Sequence, residues 1–167
     1  IAEISEICTT HGATFVYHVE DPHEGNMLIE VRRKVWPAFE HLGKAMLPED
    51  VAVPRDRLPE LLAGITDIAE RNQVMLPTIG HAGDGNMHPL LVFDGQDAEE
   101  VARVKVAFGE IVALALSLDG TIAGEHGVGT LKKPFIELEL DPIQLQVQRS
   151  MRTLLDPHGR LNPGKAI

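Results

Sequence analysis

The sequence is poor in cysteine, in basic residues and in long apolar runs, and each shortage excludes a class of protein. Cys8 is the single cysteine, so an internal disulfide is excluded and a reducing compartment is expected. No stretch approaches the roughly 18 apolar residues of a membrane span. With 15 Lys and Arg against 25 Asp and Glu, the formal charge is -10, which argues against nucleic acid as a partner.

Several catalytic signatures are absent as well. The sequence contains no GxxxxGK[ST] phosphate loop and no serine in a nucleophile-elbow setting. The GDGN stretch at 83–86 lacks the strand and helix that flank a dinucleotide fingerprint. Two glycine-rich stretches that contain histidine, at 80–89 and 124–129, are the remaining candidates for a site.

The composition is that of a folded protein. A hydrophobic fraction of 44% over 167 residues is enough to bury a core. We expect one domain over 1–167, at most with an appendage. Because Ile1 opens a pattern that already reads as the middle of a helix, we interpret the chain as a fragment of a longer polypeptide.

Hydrophobic periodicity predicts an α+β fold. The order strand, helix, two strands, helix, strand matches the split βαβ of ferredoxin-like folds, an antiparallel sheet with helices packed on one face. The segments that carry this pattern are 50–53, 55–72, 73–81, 86–94, 97–118 and 120–124. Outside it we predict a helix at 1–11, a strand at 13–20, a helix at 24–41 and a last helix at 141–157, with N-caps at Asp56 and Asp141.

His81 and His88 flank the glycine-rich turn between two predicted strands. A tight turn can bring both imidazoles within reach of one metal ion, and a carboxylate such as Glu125 would complete a set of two histidines and one acid. The spacing alone leaves a second interpretation open, in which both histidines are polar residues that satisfy a hairpin. Asp84 is interpreted as a residue that stabilises the turn through side-chain to backbone bonds.

His126 directly follows Glu125 and is a candidate general base, because an imidazole takes and returns a proton near neutral pH. An exposed loop histidine is the alternative. Arg32 and Arg33 lie on the predicted helix 24–41, where an arginine fork can hold a substrate carboxylate through two parallel hydrogen bonds. A solvated helix face is the other interpretation of these two arginines.

Three motifs in register resemble one family. They are GHAGDGNMHP at 80–89, TIAGEHGVG at 121–129 and DPHGRLNPGKAI at 156–167. In this order they are similar to the C-terminal half of the FAD-linked 2-hydroxy-acid oxidoreductases, within the vanillyl-alcohol-oxidase superfamily. The resemblance covers nearly the whole chain and implies a substrate or cap domain that closes over the flavin of a separate N-terminal FAD-binding domain, which this chain lacks.

The resemblance also implies roles for individual residues. It implies a divalent metal, zinc, manganese or iron, on His81, His88 and Glu125, with His126 as general base. It implies that Arg32 grips the substrate carboxylate, although Ile29 replaces the tryptophan of the family's W-x-x-R pattern. Contacts to the flavin are implied for Asn86, Asn162 and Lys165. Pro48 stands where some relatives carry a lysine for a second carboxylate, which disfavours a dicarboxylic substrate.

The function implied is oxidation of a 2-hydroxy acid of the glycolate or D-lactate type to the 2-keto acid, with FAD as cofactor. The implied partners are the substrate, the FAD-binding domain, and an electron-transfer subunit or a quinone or cytochrome acceptor. The full-length protein is expected in the cytoplasm or peripherally at the inner membrane. Two alternatives remain open at this point: a metal-binding ferredoxin-like module without catalysis, and a metal-dependent hydrolase.

Overall fold

A computed structural model describes residues 1–42 and 44–167, which form two compact units, Ile1–Gly43 and Lys44–Ile167. The first unit contains helices α1 (Ala2–Thr10), α2 (Pro22–Arg33) and α3 (Val35–Glu40). The strand predicted at 13–20 is wrong. Its side chains include exposed Phe15 and Tyr17, stacked with ring centroids 6.0 Å apart, and the described part of this unit offers no strand with which the segment can pair.

The helix predicted at 24–41 is divided in two. Asp21 caps α2 by accepting hydrogen bonds from the backbone N–H groups of His23 and Glu24. The break between α2 and α3 falls at Lys34. Pro37 lies in the first turn of α3, where its missing N–H removes no helical hydrogen bond.

The second unit contains the predicted α+β core. Its strands are β1 (Ala45–Pro48), β2 (Val51–Ala52), β3 (Thr78–His81) and β4 (Asn86–Phe93). Its helices are α4 (Leu58–Asn72), α5 (Ala98–Ser117), the short α6 (Ile136–Glu139) and α7 (Pro142–Leu155). The predicted cap at Asp141 is confirmed. The predicted cap at Asp56 is wrong, because that residue lies inside a 3₁₀ turn, Arg55–Arg57, and α4 starts after it.

All pairings in the sheet are antiparallel and centre on β4. One edge of β4 pairs with β3, and the other edge pairs with β1 and β2, which together form one interrupted strand. Ala52 bridges Thr121 on the far side. The order Thr121, β1 and β2, β4, β3 is that of the split βαβ, so the predicted fold class is confirmed.

The strand predicted at 120–124 is reduced to that single bridge. Glu139 accepts hydrogen bonds from the backbone N–H of Ile122 and from the hydroxyl of Thr121. These donors are therefore taken by a side chain of α6, and the segment leaves the sheet immediately after Thr121.

The apolar core lies between the sheet and helices α4 and α5. Met87 and Leu91 of β4 belong to this core. Since successive side chains of a strand point to opposite faces, Asn86 and His88 point away from the two helices. No helix in the described ranges is both long and apolar enough to cross a membrane.

The turn between β3 and β4 depends on Gly85. Its φ is +83°, and a Cβ there would lie 2.0 Å from the carbonyl oxygen of Val53. Asp84 stabilises the same turn by accepting a hydrogen bond from the backbone N–H of Asn86 at 3.0 Å, as predicted. The turn that separates His81 from His88 thus packs closely against Val53, the residue that follows β2.

We predict that Gly85→Ala lowers the free energy of unfolding by at least about 2 kcal/mol, because it combines backbone strain with a backbone clash. Denaturant unfolding measures this. Gly83→Ala in the same turn is the matched control, since Gly83 has open space around it and no positive φ, and it should stay within about 0.5 kcal/mol of the parent protein. Equal stability of the two variants would contradict the account of the turn.

Candidate functional site

Side chains from two glycine-rich loops meet at the end of the β3–β4 hairpin. His81 is the last residue of β3 and His88 is the third residue of β4. Glu125 comes from the loop that follows Thr121, and its Oε1 atom lies 3.2 Å from Nε2 of His81 and 3.1 Å from Nε2 of His88. The structure therefore brings together the two loops that sequence reasoning could only suppose to be neighbours.

The spacing of these three atoms fits a metal ion. Two ligand atoms each about 2.1 Å from one ion lie about 3 to 3.4 Å apart in octahedral or tetrahedral geometry. The two distances from Glu125 fall in that range, and all three donor atoms lie within 4.8 Å of one another. Two imidazole nitrogens and one carboxylate oxygen are a donor set suited to zinc, manganese or iron.

His126 lies beside this cluster. Its ring stacks on His88 with centroids 4.8 Å apart and an interplanar angle of 10°, and its Nε2 is 4.0 Å from Oε1 of Glu125. The consecutive residues Glu125 and His126 are both directed toward the site, and Gly127, which follows them, has a φ of +78°. The side chain of His126 is half exposed, which leaves it accessible to a substrate.

A buried carboxylate, Asp50, lies behind the cluster, and sequence reasoning missed it. Its oxygens accept hydrogen bonds from the backbone N–H of His126 at 2.8 Å and of Glu125 at 3.2 Å. Its Oδ1 lies 3.5 Å from Nδ1 of His88. Burial acts to raise the pKa of Asp50, but these backbone hydrogen bonds together with the charge of Lys132 outweigh it and hold the pKa below its usual value.

Burial also affects His88. Loss of solvent is the largest cause that lowers the pKa of the His88 imidazole, and nearby His126 lowers it further, against the opposing effect of Asp50 and Glu125. The neutral imidazole is thereby favoured. Neutral imidazole is the form that coordinates metal ions.

Lys132 and Glu49 form a buried ion pair next to Asp50. The Nζ atom of Lys132 lies 2.7 Å from Oε1 of Glu49, donates to the backbone carbonyl of Asp50, and both side chains are almost fully buried. Burial raises the pKa of Glu49 in spite of the hydrogen bond from Lys132. This pair holds the segment that follows the 124–129 loop against Glu49 and Asp50, which lie between β1 and β2.

Comparison with known proteins identifies the family. The family described as FAD linked oxidases, C-terminal domain, matches residues 1–166. The chain belongs to this family.

Relatives of this FAD linked oxidase domain include proteins named glycolate oxidase subunit and D-lactate dehydrogenase. The chain is 37% identical to a glycolate oxidase subunit GlcD of Bacillus subtilis, over 98% of the chain and 35% of that protein. It is 33% identical to a probable mitochondrial D-lactate dehydrogenase of Danio rerio, over 100% of the chain and 34% of that protein. A D-lactate dehydrogenase of Archaeoglobus fulgidus is 35% identical over 99% of the chain and 36% of that protein. The chain thus spans about a third of the length of these relatives.

The remaining predicted residues of the FAD linked oxidase domain lie in three places. Asn86 is buried beside the site, with its Oδ1 so close to Gly124 that a Cβ there would approach within 2.2 Å. Asn162 and Lys165 lie in the C-terminal segment, whose carbonyl groups at both positions accept hydrogen bonds from Arg152. Arg32 is an exposed residue of α2 in the first unit. Their contacts to flavin and substrate stay predictions.

We predict that Lys132→Met lowers the free energy of unfolding by about 3 to 5 kcal/mol at pH 8, because it leaves Glu49 as a buried, unpaired carboxylate. The loss should be smaller at pH 5. The pKa of Glu49 is already raised in the folded protein and rises further without the lysine, so the carboxyl takes up a proton in the folded state and the penalty declines as pH falls.

Denaturant unfolding at both pH values checks this. The double variant Glu49→Gln with Lys132→Met should recover part of the loss at pH 8. Arg57→Met, which breaks the exposed pair between Arg57 and Glu60, should change stability little at either pH. A Lys132→Met penalty that grows as pH falls would contradict the assignment.

Proposed function

We propose that this chain is the substrate-binding and catalytic half of an FAD-dependent enzyme that oxidises a 2-hydroxy acid, of the glycolate or D-lactate type, to the 2-keto acid. The observation that carries the proposal is the meeting of His81, His88 and Glu125 around one carboxylate oxygen, with His126 stacked beside them. The names of the relatives, glycolate oxidase and D-lactate dehydrogenase, support the same chemistry.

His81, His88 and Glu125 hold the divalent metal in this proposal. When bound, the ion supplies Lewis-acid chemistry at the hydroxyl and carboxylate oxygens of the substrate. The donor set fits, since both histidines present Nε2 toward the same carboxylate oxygen. Burial lowers the pKa of His88, which supports this assignment because it favours the neutral imidazole that can coordinate.

His126 accepts the hydroxyl proton of the substrate. Its ring is fixed by stacking on His88 and by the bond from its own backbone N–H to Asp50, while half of its side chain remains exposed. Removal of that proton leaves electrons on oxygen that form the new carbonyl as hydride departs from C2. FAD, held mainly by a separate N-terminal domain of the full-length protein, supplies the hydride acceptor.

Arg32 holds the substrate carboxylate through its guanidinium, and Asn86, Asn162 and Lys165 contact the flavin. Pro48, in place of a lysine, is consistent with a substrate that has a single carboxylate. The full-length enzyme would deliver the electrons to a quinone, a cytochrome or an electron-transfer subunit. We propose that the full-length protein lies in the cytoplasm or at the periphery of the inner membrane; the single cysteine of this chain fits a reducing compartment.

We predict that His81→Ala and His88→Ala, each in the full-length protein, lower bound divalent metal and the rate of flavin reduction by D-lactate or glycolate together. Each variant removes one of three donors, and the remaining two hold a divalent ion more weakly. Elemental analysis and anaerobic stopped-flow absorbance of the flavin measure the two quantities. Unchanged metal content in both variants would reject the metal assignment.

His126→Ala should slow flavin reduction by about 10²- to 10⁴-fold, the usual contribution of a general base, while the Kd of the substrate changes little. Single-turnover reduction over a range of substrate concentrations separates the two effects. His158→Ala removes an exposed histidine near the C-terminus and should leave the rate unchanged. A His126→Ala protein that reduces its flavin at the parent rate would reject the role of this residue.

A further inference from the structure

Asp50 contacts three of the four residues at the site although it faces no solvent. Its side chain is fully buried, and its carboxylate lies next to the ring of His88 and the backbone of Glu125 and His126. We propose that Asp50 is the positioning residue of this site, which fixes the metal ligands His88 and Glu125 and the base His126 in their working arrangement. The inference rests on the proposed function, because it concerns the same donor set.

The first step is the bond pattern at the loop. Two consecutive backbone N–H groups, of Glu125 and His126, donate to the two oxygens of one carboxylate at 3.2 and 2.8 Å. Hydrogen bonds to an ionised acceptor are stronger than neutral ones. One buried side chain thus fixes the direction in which both loop side chains leave the backbone.

The second step is the close approach of the loop to Asp50. A Cβ at Gly124 would lie 2.6 Å from Oδ1 of Asp50 and 2.2 Å from Oδ1 of Asn86. Any larger residue at 124 would force the loop away from the carboxylate. Glycine is therefore needed at 124 because the loop approaches Asp50 closely. A left-handed backbone conformation is not the reason, since the φ of Gly124 is not positive.

The third step concerns His88. Its Nδ1 is buried, has no hydrogen-bond partner among the described residues, and lies 3.5 Å from Oδ1 of Asp50. This separation exceeds an ordinary hydrogen bond, so the contact is electrostatic, and it favours the tautomer with the proton on Nδ1. The lone pair is then on Nε2, the atom that faces Glu125. A carboxylate behind a ligating histidine is a common support of metal sites.

Asp50 has a matched neighbour that separates positioning from general stability. Glu49 is equally buried and pairs with the same lysine. Neither Glu125 nor His126 bonds to its side chain among the described contacts; its Oε1 accepts from the backbone of Asp50, and its Oε2 has no partner there. A variant of Glu49 disturbs the buried charges without touching the donor set.

The test compares Asp50→Asn and Glu49→Gln in the full-length protein. In Asp50→Asn one oxygen becomes an amide donor that faces a backbone N–H, so one loop bond is lost and the tautomer preference of His88 is weakened. Co²⁺ affinity of the metal-free protein is measured by competition with a chelator, and amide hydrogen exchange is followed in peptides that cover 122–130. Flavin reduction by D-lactate or glycolate is recorded separately.

We expect Asp50→Asn to weaken Co²⁺ binding by about 10- to 100-fold and to speed exchange at 125 and 126, whereas Glu49→Gln should change the affinity by less than about threefold. Equal affinity loss in the two variants, or none in Asp50→Asn, would overturn the inference. Asp50→Ser, which keeps one acceptor, gives the same comparison if Asp50→Asn does not fold.

The two proposals fail in different ways. Parent protein that binds Co²⁺ in an Asp50-dependent manner but reduces no flavin with any 2-hydroxy acid would reject the proposed oxidation and support the inference. Parent protein that reduces its flavin but binds no Co²⁺ would overturn the inference and leave the oxidation standing.

Discussion

The site depends on three neighbouring ionisable groups that are buried together. Glu49, Asp50 and Lys132 are almost fully buried, and burial of a charge is costly unless a partner offsets it. Lys132 compensates one carboxylate directly, and the other is compensated by backbone N–H groups of the loop that carries Glu125 and His126. Movement of the loop would leave a buried carboxylate without its hydrogen bonds, so the electrostatics of burial hold the loop in place.

The sheet supplies the rest of the geometry. The alternation of side chains along β4 directs His88 to the face opposite α4 and α5. The pairing of His81 with Asn86 across the hairpin fixes the position of His81 along the sheet. A shift of the register by one residue would send His88 into the apolar core. The same hydrophobic pattern that specifies the fold therefore specifies which histidine reaches the site.

Sequence patterns predicted the parts of the fold whose signal is local. Helices α4, α5 and α7 and the β3–β4 hairpin followed from periodicity, a cap at Asp141 and the glycine-rich turn. The strand at 13–20 failed, since β-propensity reports suitability for a sheet and not the presence of a neighbouring strand. Residues 120–124 failed for a related reason, because the donors there bond to the side chain of Glu139, which is distant in sequence.

The same distinction applies to the site. His81, His88, Glu125 and His126 were found because histidines among glycines form an unusual local pattern. Asp50 was missed because it lies beside a short strand of ordinary appearance, between β1 and β2, and its partners are about 75 residues away along the chain. Its only local signal was two adjacent acids, Glu49 and Asp50, before an apolar strand. This pattern is explained by Lys132, which is distant in sequence and lies next to both acids in the fold.

The site has a buried side and a solvent-exposed side. Asp50 is buried and His88 is only slightly exposed, whereas about half of each side chain of Glu125 and His126 faces solvent. Interactions with ions and protons are weak in water and strengthen when water is excluded. In the proposed reaction the substrate and flavin lie over the solvent-exposed side and exclude water there. The second unit then contributes a preformed donor set. The proposed chemistry requires the substrate and the flavin to cover Glu125 and His126.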